Sequence, residues 1–153
     1  FADKVVVMYD GRVVQMGTPQ ELFEQPEHTF VGYFIGSPGM NVLEAQVDGD
    51  KAVLGGTQIS LGNGFGPLTG KVELGVRPEF TSLSSGDVGL PVRIKRVEDV
   101  GRHKIVRADF NGTDVNVLAP EGTEISPDLN RIVFDPAGVN VYSDSWRVAP
   151  KVA

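Results

Sequence analysis

"ADKVVVMYDGRVVQMGTPQEL", residues 2–22, decides how the rest of the chain is read. Two apolar runs, Val5-Val6-Val7-Met8-Tyr9 and Val13-Val14-Gln15-Met16, flank Asp10-Gly11. Glycine at the second turn position takes φ > 0 without steric cost, so the stretch predicts an antiparallel hairpin over 5–9 and 12–16. A helix start follows: Thr18 caps, Pro19 suits the first helical position, and Glu21 closes the capping box. That helix ends near Gln25-Pro26. A second begins around Glu27 or His28 and carries Phe30, Val31, Tyr33, Phe34 and Ile35. A helix this apolar has to be covered by a neighbouring body of protein. Gly36-Ser37-Pro38-Gly39 breaks it. Only Phe1 precedes the quoted stretch, so the expectation is that the chain opens mid-hairpin because something larger lies upstream.

After residue 40 the texture changes to short alternating segments separated by glycines and prolines. Leu43, Ala45 and Val47 alternate with polar neighbours. Ala52-Val53-Leu54 turns through Gly55-Gly56 into Thr57, Ile59 and Leu61, and Val72, Leu74 and Val76 form the next segment. The pattern slips at Arg96-Val97, which predicts a bulge. Residues 102–110 and 113–118 form a hairpin across Asn111-Gly112, the strongest short hairpin signal in the chain. Ile132-Val133-Phe134 and Val139–Tyr142 complete eight or nine strands with no helix among them. The expected fold class is mainly β: a small barrel or sandwich preceded by a hairpin and two short helices. The domain split falls near residue 37, giving 1–36 and 37–153.

Bulk composition narrows the function. Of 153 residues 41% are hydrophobic, enough for a core, and there is no Cys, which removes disulfides, thiolate metal sites and Cys nucleophiles. No apolar run approaches membrane-spanning length, and no basic segment followed by an apolar core stands at the front, so neither a span nor a signal peptide is expected. A net charge of −6 opposes general binding to nucleic acid. One local exception exists: Arg93, Lys95, Arg96, Arg102, Lys104 and Arg107, opposed there by Glu98 and Asp99. The cluster is read either as a solvated strand face or as a site for an anionic partner.

Several motifs nearly match and fail. "GFGPLTGKV" (64–72) would need Gly in place of Phe65 and Ser or Thr in place of Val72 to be a phosphate loop, and Lys71 begins a strand. "LSSGD" (83–87) echoes the signature loop of ATP-binding cassettes but lacks its second Gly and its Gln. "NGT" (111–113) fits a glycosylation pattern that the hairpin already explains. The only histidines, His28 and His103, stand far apart, and no spacing joins either to a Ser or an acid. No catalytic, cofactor or metal residue is therefore expected on this chain.

Residues 1–45 closely resemble the end of the nucleotide-binding domain in ABC import ATPases of the carbohydrate-uptake (maltose-importer-like) family. The resemblance rests on Ala2-Asp3-Lys4, the Asp10-Gly11 turn, Gln15 to Pro19, Glu21-Leu22-Phe23 with Pro26, and the linker from Phe34 to Asn41. Farther on, "LGVRPEF" (74–80) is similar to the family's L-G-(I/V)-R-P-E strand end, and "VEDVG" (97–101) resembles its V-E-x-x-G element. "VNVYSD" (139–144) stands where these chains usually read (H/V)-x-(V/L)-F-D. The usual Gly-acid pair before the penultimate strand is replaced by Asp128-Leu129-Asn130.

The resemblance implies an OB-like regulatory domain of the TOBE/MOP type, entered through the end of a nucleotide-binding domain. It implies that the parent is an ATPase using ATP and Mg, while the P-loop, signature, Walker B acid and switch histidine all lie upstream of these residues. It further implies a homodimer, membrane-spanning transporter subunits as partners through the parent, a cytoplasmic position on the inner membrane face, and in some members a regulatory protein or small-molecule effector. Arg77, Pro78 and Glu79, a strand end with a fixed turn and two exposed charges, are then candidates for an intersubunit or interdomain contact, a local Arg–Glu pair being the alternative. Met40 and Asn41 would fix the linker to the barrel. Residues 1–36, deprived of the sheet they would cover, are expected to be partly disordered, swapped between chains or packed into an interface. The rival reading is a free-standing OB-like module for oligosaccharide, small anion or nucleic acid, which would interleave aromatics with basic residues on one strand face; here the aromatics are dispersed.

Overall fold

A computed structural model describes residues 3–151. Ala2 of the Ala2-Asp3-Lys4 element lies outside the described residues. The elements run β1 (Val5–Tyr9), β2 (Arg12–Gly17), α1 (Pro19–Glu24) and α2 (Thr29–Phe34), then β3 (Asn41–Glu44), β4 (Gln46–Leu54), β5 (Thr57–Phe65) and β6 (Val72–Val76). A 3₁₀ turn at Pro78–Phe80 leads to β7 (Thr81–Ser84), β8 (Leu90–Pro91), β9 (Arg93–Asp99), β10 (His103–Phe110) and β11 (Thr113–Pro120). The chain ends with β12 (Arg131–Phe134), a 3₁₀ turn at Pro136–Gly138, β13 (Val139–Ser143) and β14 (Trp146–Val148).

Local chemistry sets these bounds. Both residues of the Asp10-Gly11 turn have positive φ (52° and 74°), as do Asn111-Gly112 (49° and 87°), which matches the twist of the strands they join. Thr18 and Glu21 form the expected reciprocal capping box, with Glu21 N donating to Thr18 Oγ1 and Thr18 N to Glu21 Oε1, each at 3.1 Å. The bulge lies one residue earlier than expected. Arg107 pairs with Arg96 and Ala108 with Ile94, so Lys95 is the extra residue.

Among the described residues twelve short strands follow residue 40, more than the eight or nine expected. The sequence reading missed β14 because its turn is Asp144-Ser145, two non-glycine residues at positive φ (47° and 74°) that carry no hairpin signature. The strands form the ladders β14-β13-β6-β3, β11-β10-β9, β7-β12-β8 and β4-β5, with the β1-β2 hairpin apart. These ladders do not join into one continuously bonded barrel. They instead wrap a shared core that includes Leu43, Leu54, Leu74, Val106, Val117, Ile132 and Val141. Inward residues alternate with exposed ones, most cleanly on β11, where Val115, Val117 and Ala119 are buried.

Residues 3–36 fold as the hairpin and two helices and pack against the β domain. Leu22 and Val31 are buried there, while Val6, Met8, Tyr9, Val13, Met16, Tyr33 and Phe34 stay exposed.

Candidate functional site

The N-terminal region and the β domain meet at a polar junction centred on Arg77. This residue ends β6, where Pro78 opens a 3₁₀ turn and fixes the backbone direction. The expectation of two exposed charges is corrected here: Glu79 is exposed, but Arg77 is only 3% exposed. The expected local Arg–Glu pair does not take up its donors either. Nε donates to Phe23 O at 3.0 Å, and Nη1 donates to Gly32 O at 3.0 Å and to Ile35 O. Phe23 lies in the last turn of α1, and Gly32 and Ile35 lie at the end of α2, so one guanidinium satisfies carbonyls that both short helices leave without intrahelical partners. Its Cζ lies over the Phe23 ring, 4.3 Å from the centroid. Burial pushes the Arg77 pKa down from its ordinary value, partly offset by the charge of Glu79. Nη2 is buried with no hydrogen-bond acceptor among the described residues. The approach is close enough to require glycine at position 36: a Cβ there would lie 2.7 Å from Nη1, on a backbone with φ +108°.

Other groups close the same junction. Tyr142, fully buried on β13, donates its hydroxyl to Pro26 O at 2.6 Å, and burial pushes its phenol well above the ordinary range. Arg147 pairs with Glu27 at 2.9 Å, and its backbone N–H donates to Glu27 O at 2.7 Å. His28 caps α2, its Nδ1 accepting from Phe30 N at 3.0 Å, so the ring is held neutral at that nitrogen, and burial lowers its pKa. The same ring packs edge-on against Trp146, with centroids 4.7 Å apart. Gln15 of the hairpin accepts from Glu27 N and donates to Gln25 O.

The linker candidates are both buried. Met40 is 3% exposed, and its backbone N–H donates to Gly32 O. The Asn41 side chain pairs with the Asn116 backbone through two 2.9 Å bonds, one in each direction, which ties the linker to β11.

The structure divides the basic cluster. Lys95, Arg96 and Arg107 line one cleft of about 260 Å³ together with Asp114 and Asn116. Lys104 instead donates to Thr123 O at 3.0 Å, Arg93 borders a separate apolar cleft, and Arg102 stands in the turn between β9 and β10. Sequence reasoning missed Phe23, Tyr142, Glu27, Arg147 and the His28–Trp146 pair. The one available signal was Tyr142, which adds a hydroxyl where the resembled pattern has Phe. Among the described residues no group of His, Cys, Asp or Glu could hold a metal ion, and no helix is long and apolar enough to cross a membrane.

Fold and junction together define a mainly β domain of short ladders around one core, with a hairpin-and-helix extension clamped onto it. Comparison with known proteins is consistent with that class: residues 36–80 match the MalK OB fold domain family. The chain is 40% identical over 113 residues to the sn-glycerol-3-phosphate import ATP-binding protein UgpC of Vibrio vulnificus, covering 72% of this chain and 30% of that protein. It is 36% identical over 156 residues to UgpC 1 of Rhizobium johnstonii, covering 96% and 42%. An uncharacterized ABC transporter ATP-binding protein, y4oS, of Sinorhizobium fredii is 40% identical over 131 residues, covering 82% and 35%. The chain is thus similar, over most of its length, to part of these import ATP-binding proteins and, over residues 36–80, to the MalK OB fold domain. It spans about a third of the length of the curated relatives it matches.

Proposed function

We propose that this chain is the regulatory and pairing end of an ABC importer's ATP-binding subunit. The whole protein would hydrolyse ATP with Mg at the cytoplasmic face of the membrane, driving import of a sugar or a related polar solute such as a glycerol phosphate. The observation that carries the reading is the 36% identity to an import ATP-binding protein across 96% of this chain. The described residues supply no competing chemistry: His28 caps a helix and Arg77 holds backbone carbonyls. Partners on this reading are a second copy of the subunit and the membrane-spanning subunits of the transporter, with no role for nucleic acid. Arg77, Pro78, Met40 and Asn41 serve as the mechanical joint through which the β domain and the end of the nucleotide-binding domain move together. Glu79, exposed beside that joint, is the candidate for contact with the second copy.

Two measurements on chain 1–153 test this. Light scattering over a concentration series is expected to show a dimer, and a monomer at every concentration would remove the pairing role. Adding ATP and Mg is expected to leave the melting temperature unchanged, because no phosphate loop lies in these residues. A ligand-induced rise in melting temperature would place a nucleotide site here and overturn that part of the reading.

A further inference from the structure

The basic face of β9–β11 breaks a local rule of sheet pairing. Arg107 on β10 stands directly opposite Arg96 on β9, and like charges facing each other across an antiparallel pair are destabilising. On its other side Arg107 stands opposite Asn116 on β11, so Arg96, Arg107 and Asn116 form one row across three strands. The bulge at Lys95 lies beside this row and leaves two consecutive basic residues, Lys95 and Arg96, exposed. Bulges gather beside functional sites because they re-aim side chains in this way.

The carboxylates present do not cancel the charge. Glu98 bridges the two arginines, accepting from Arg96 Nε at 2.9 Å and from Arg107 Nε and Nη2 at 3.4 and 3.2 Å. These bonds hold the Glu98 carboxyl below its ordinary pKa. Asp114 pairs with Lys95, which lowers its pKa too. Three cations therefore meet two carboxylates, leaving a net charge of +1 at a cleft of about 260 Å³. The Nη groups of Arg96 and Nη1 of Arg107 make none of these bonds and remain free to donate. Glu98 thus acts as a spacer that orients two guanidinium groups and leaves part of each donor set unspent.

We propose that this cleft binds a phosphate group, held by Arg96, Arg107 and Lys95 with the Asn116 amide as a neutral donor. Guanidinium planes and a tetrahedral oxyanion suit one another in charge and in donor geometry. A second cleft of about 350 Å³, lined by Tyr33, Met40 and Asn41, shares Asp114 and Asn116 with the first. A phosphate monoester would lay its organic part there, against the linker and α2, whereas inorganic phosphate would occupy the first cleft alone. The site rests on the strand face and not on the import assignment. If the proposed parent activity fails, the site still stands.

The test is a titration of ¹⁵N-labelled chain 1–153 with inorganic phosphate, and separately with a hexose phosphate, at constant ionic strength. The expected result is saturable shifts centred on Lys95, Arg96, Arg107 and Asn116 at millimolar ligand. Shifts reaching Tyr33 and Asn41 with the ester alone would identify an ester as the better ligand. Arg96→Gln, at an exposed side chain that folding tolerates, should weaken binding about tenfold, and Arg107→Gln at least as much. Arg12→Gln, on the distant hairpin turn, should change nothing. Shifts that do not saturate, shifts spread equally over unrelated basic residues, or an unaltered affinity in Arg96→Gln would each overturn the proposal.

Discussion

The β domain keeps Leu43, Leu54, Leu74 and Ile132 at 1% exposure or less, whereas the N-terminal hairpin leaves Val6, Met8, Val13 and Met16 between 47% and 61% exposed. Both regions are rich in apolar residues, so composition does not separate them. Pairing does. In the β domain four ladders turn their inner faces toward one core, and each strand's alternation is used. The hairpin has one face toward α1, and its cross-strand pairs Val6 with Met16 and Met8 with Val13 stay largely exposed. Helices of six residues are also too short to persist alone. The N-terminal region therefore depends on the β domain through hydrogen bonds at the junction, while the β domain depends on its own burial.

That contrast can be broken at several points. Leu74→Ala, at a fully buried core position, should cost about 3 kcal/mol and unfold both regions together, read by urea denaturation with circular dichroism. Arg77→Ala should be more selective. Removing hydrogen bonds from a charged donor and leaving carbonyls unpaired should loosen residues 19–35 by about 2 kcal/mol. Hydrogen exchange should accelerate there and remain slow in β10 and β11. Equal acceleration in both regions would mean the junction and the core are one cooperative unit. The single tryptophan, Trp146, sits at the junction, so its fluorescence should report this loosening before circular dichroism does.

Smaller effects sharpen the picture. Tyr142→Phe leaves Pro26 O without its donor and should cost about 1 kcal/mol in a melting experiment. Met8→Ser should alter stability by less than about 0.5 kcal/mol, because that side chain is already in water. It should instead reduce self-association in light scattering if the hairpin face is what draws chains together. The smallest effect concerns pH. His28 is held neutral, with a pKa below its ordinary value of about 6.5, so its contribution is complete above that pH. Below it the unfolded chain takes up the proton more readily, and stability falls until the folded-state value is passed. His28→Asn, which keeps a capping acceptor but does not titrate, should flatten this part of the profile.

The elements whose signals are local were legible in the sequence. The two hairpins with Gly in the second turn position, the Thr18 capping box and the buried alternation of β11 follow from backbone sterics and period-two burial, which neighbouring residues express by themselves. The turn at Asp144-Ser145 was not legible, because no glycine marks it. Nor was the position of the bulge, which register with β10 decides.

The site divides in the same way. Arg77, Met40 and Asn41 could be singled out, yet Arg77 looked like a surface charge from its place between a strand and a proline turn. Only the folded chain brings Phe23, Gly32 and Ile35 within reach of one guanidinium, across separations of 42 to 54 residues. The basic cluster was equally visible as composition, but pairing across three strands selects Arg96, Arg107 and Lys95 and sends Lys104, Arg93 and Arg102 elsewhere. Sequence by itself determined the strand-rich class and the family resemblance, because these rest on local backbone preference and on motifs contiguous in the chain. Tertiary structure decided which charges are buried, which are paired and which share a cleft. Desolvation and Coulomb interaction depend on distance in space, and distance along the chain does not supply it.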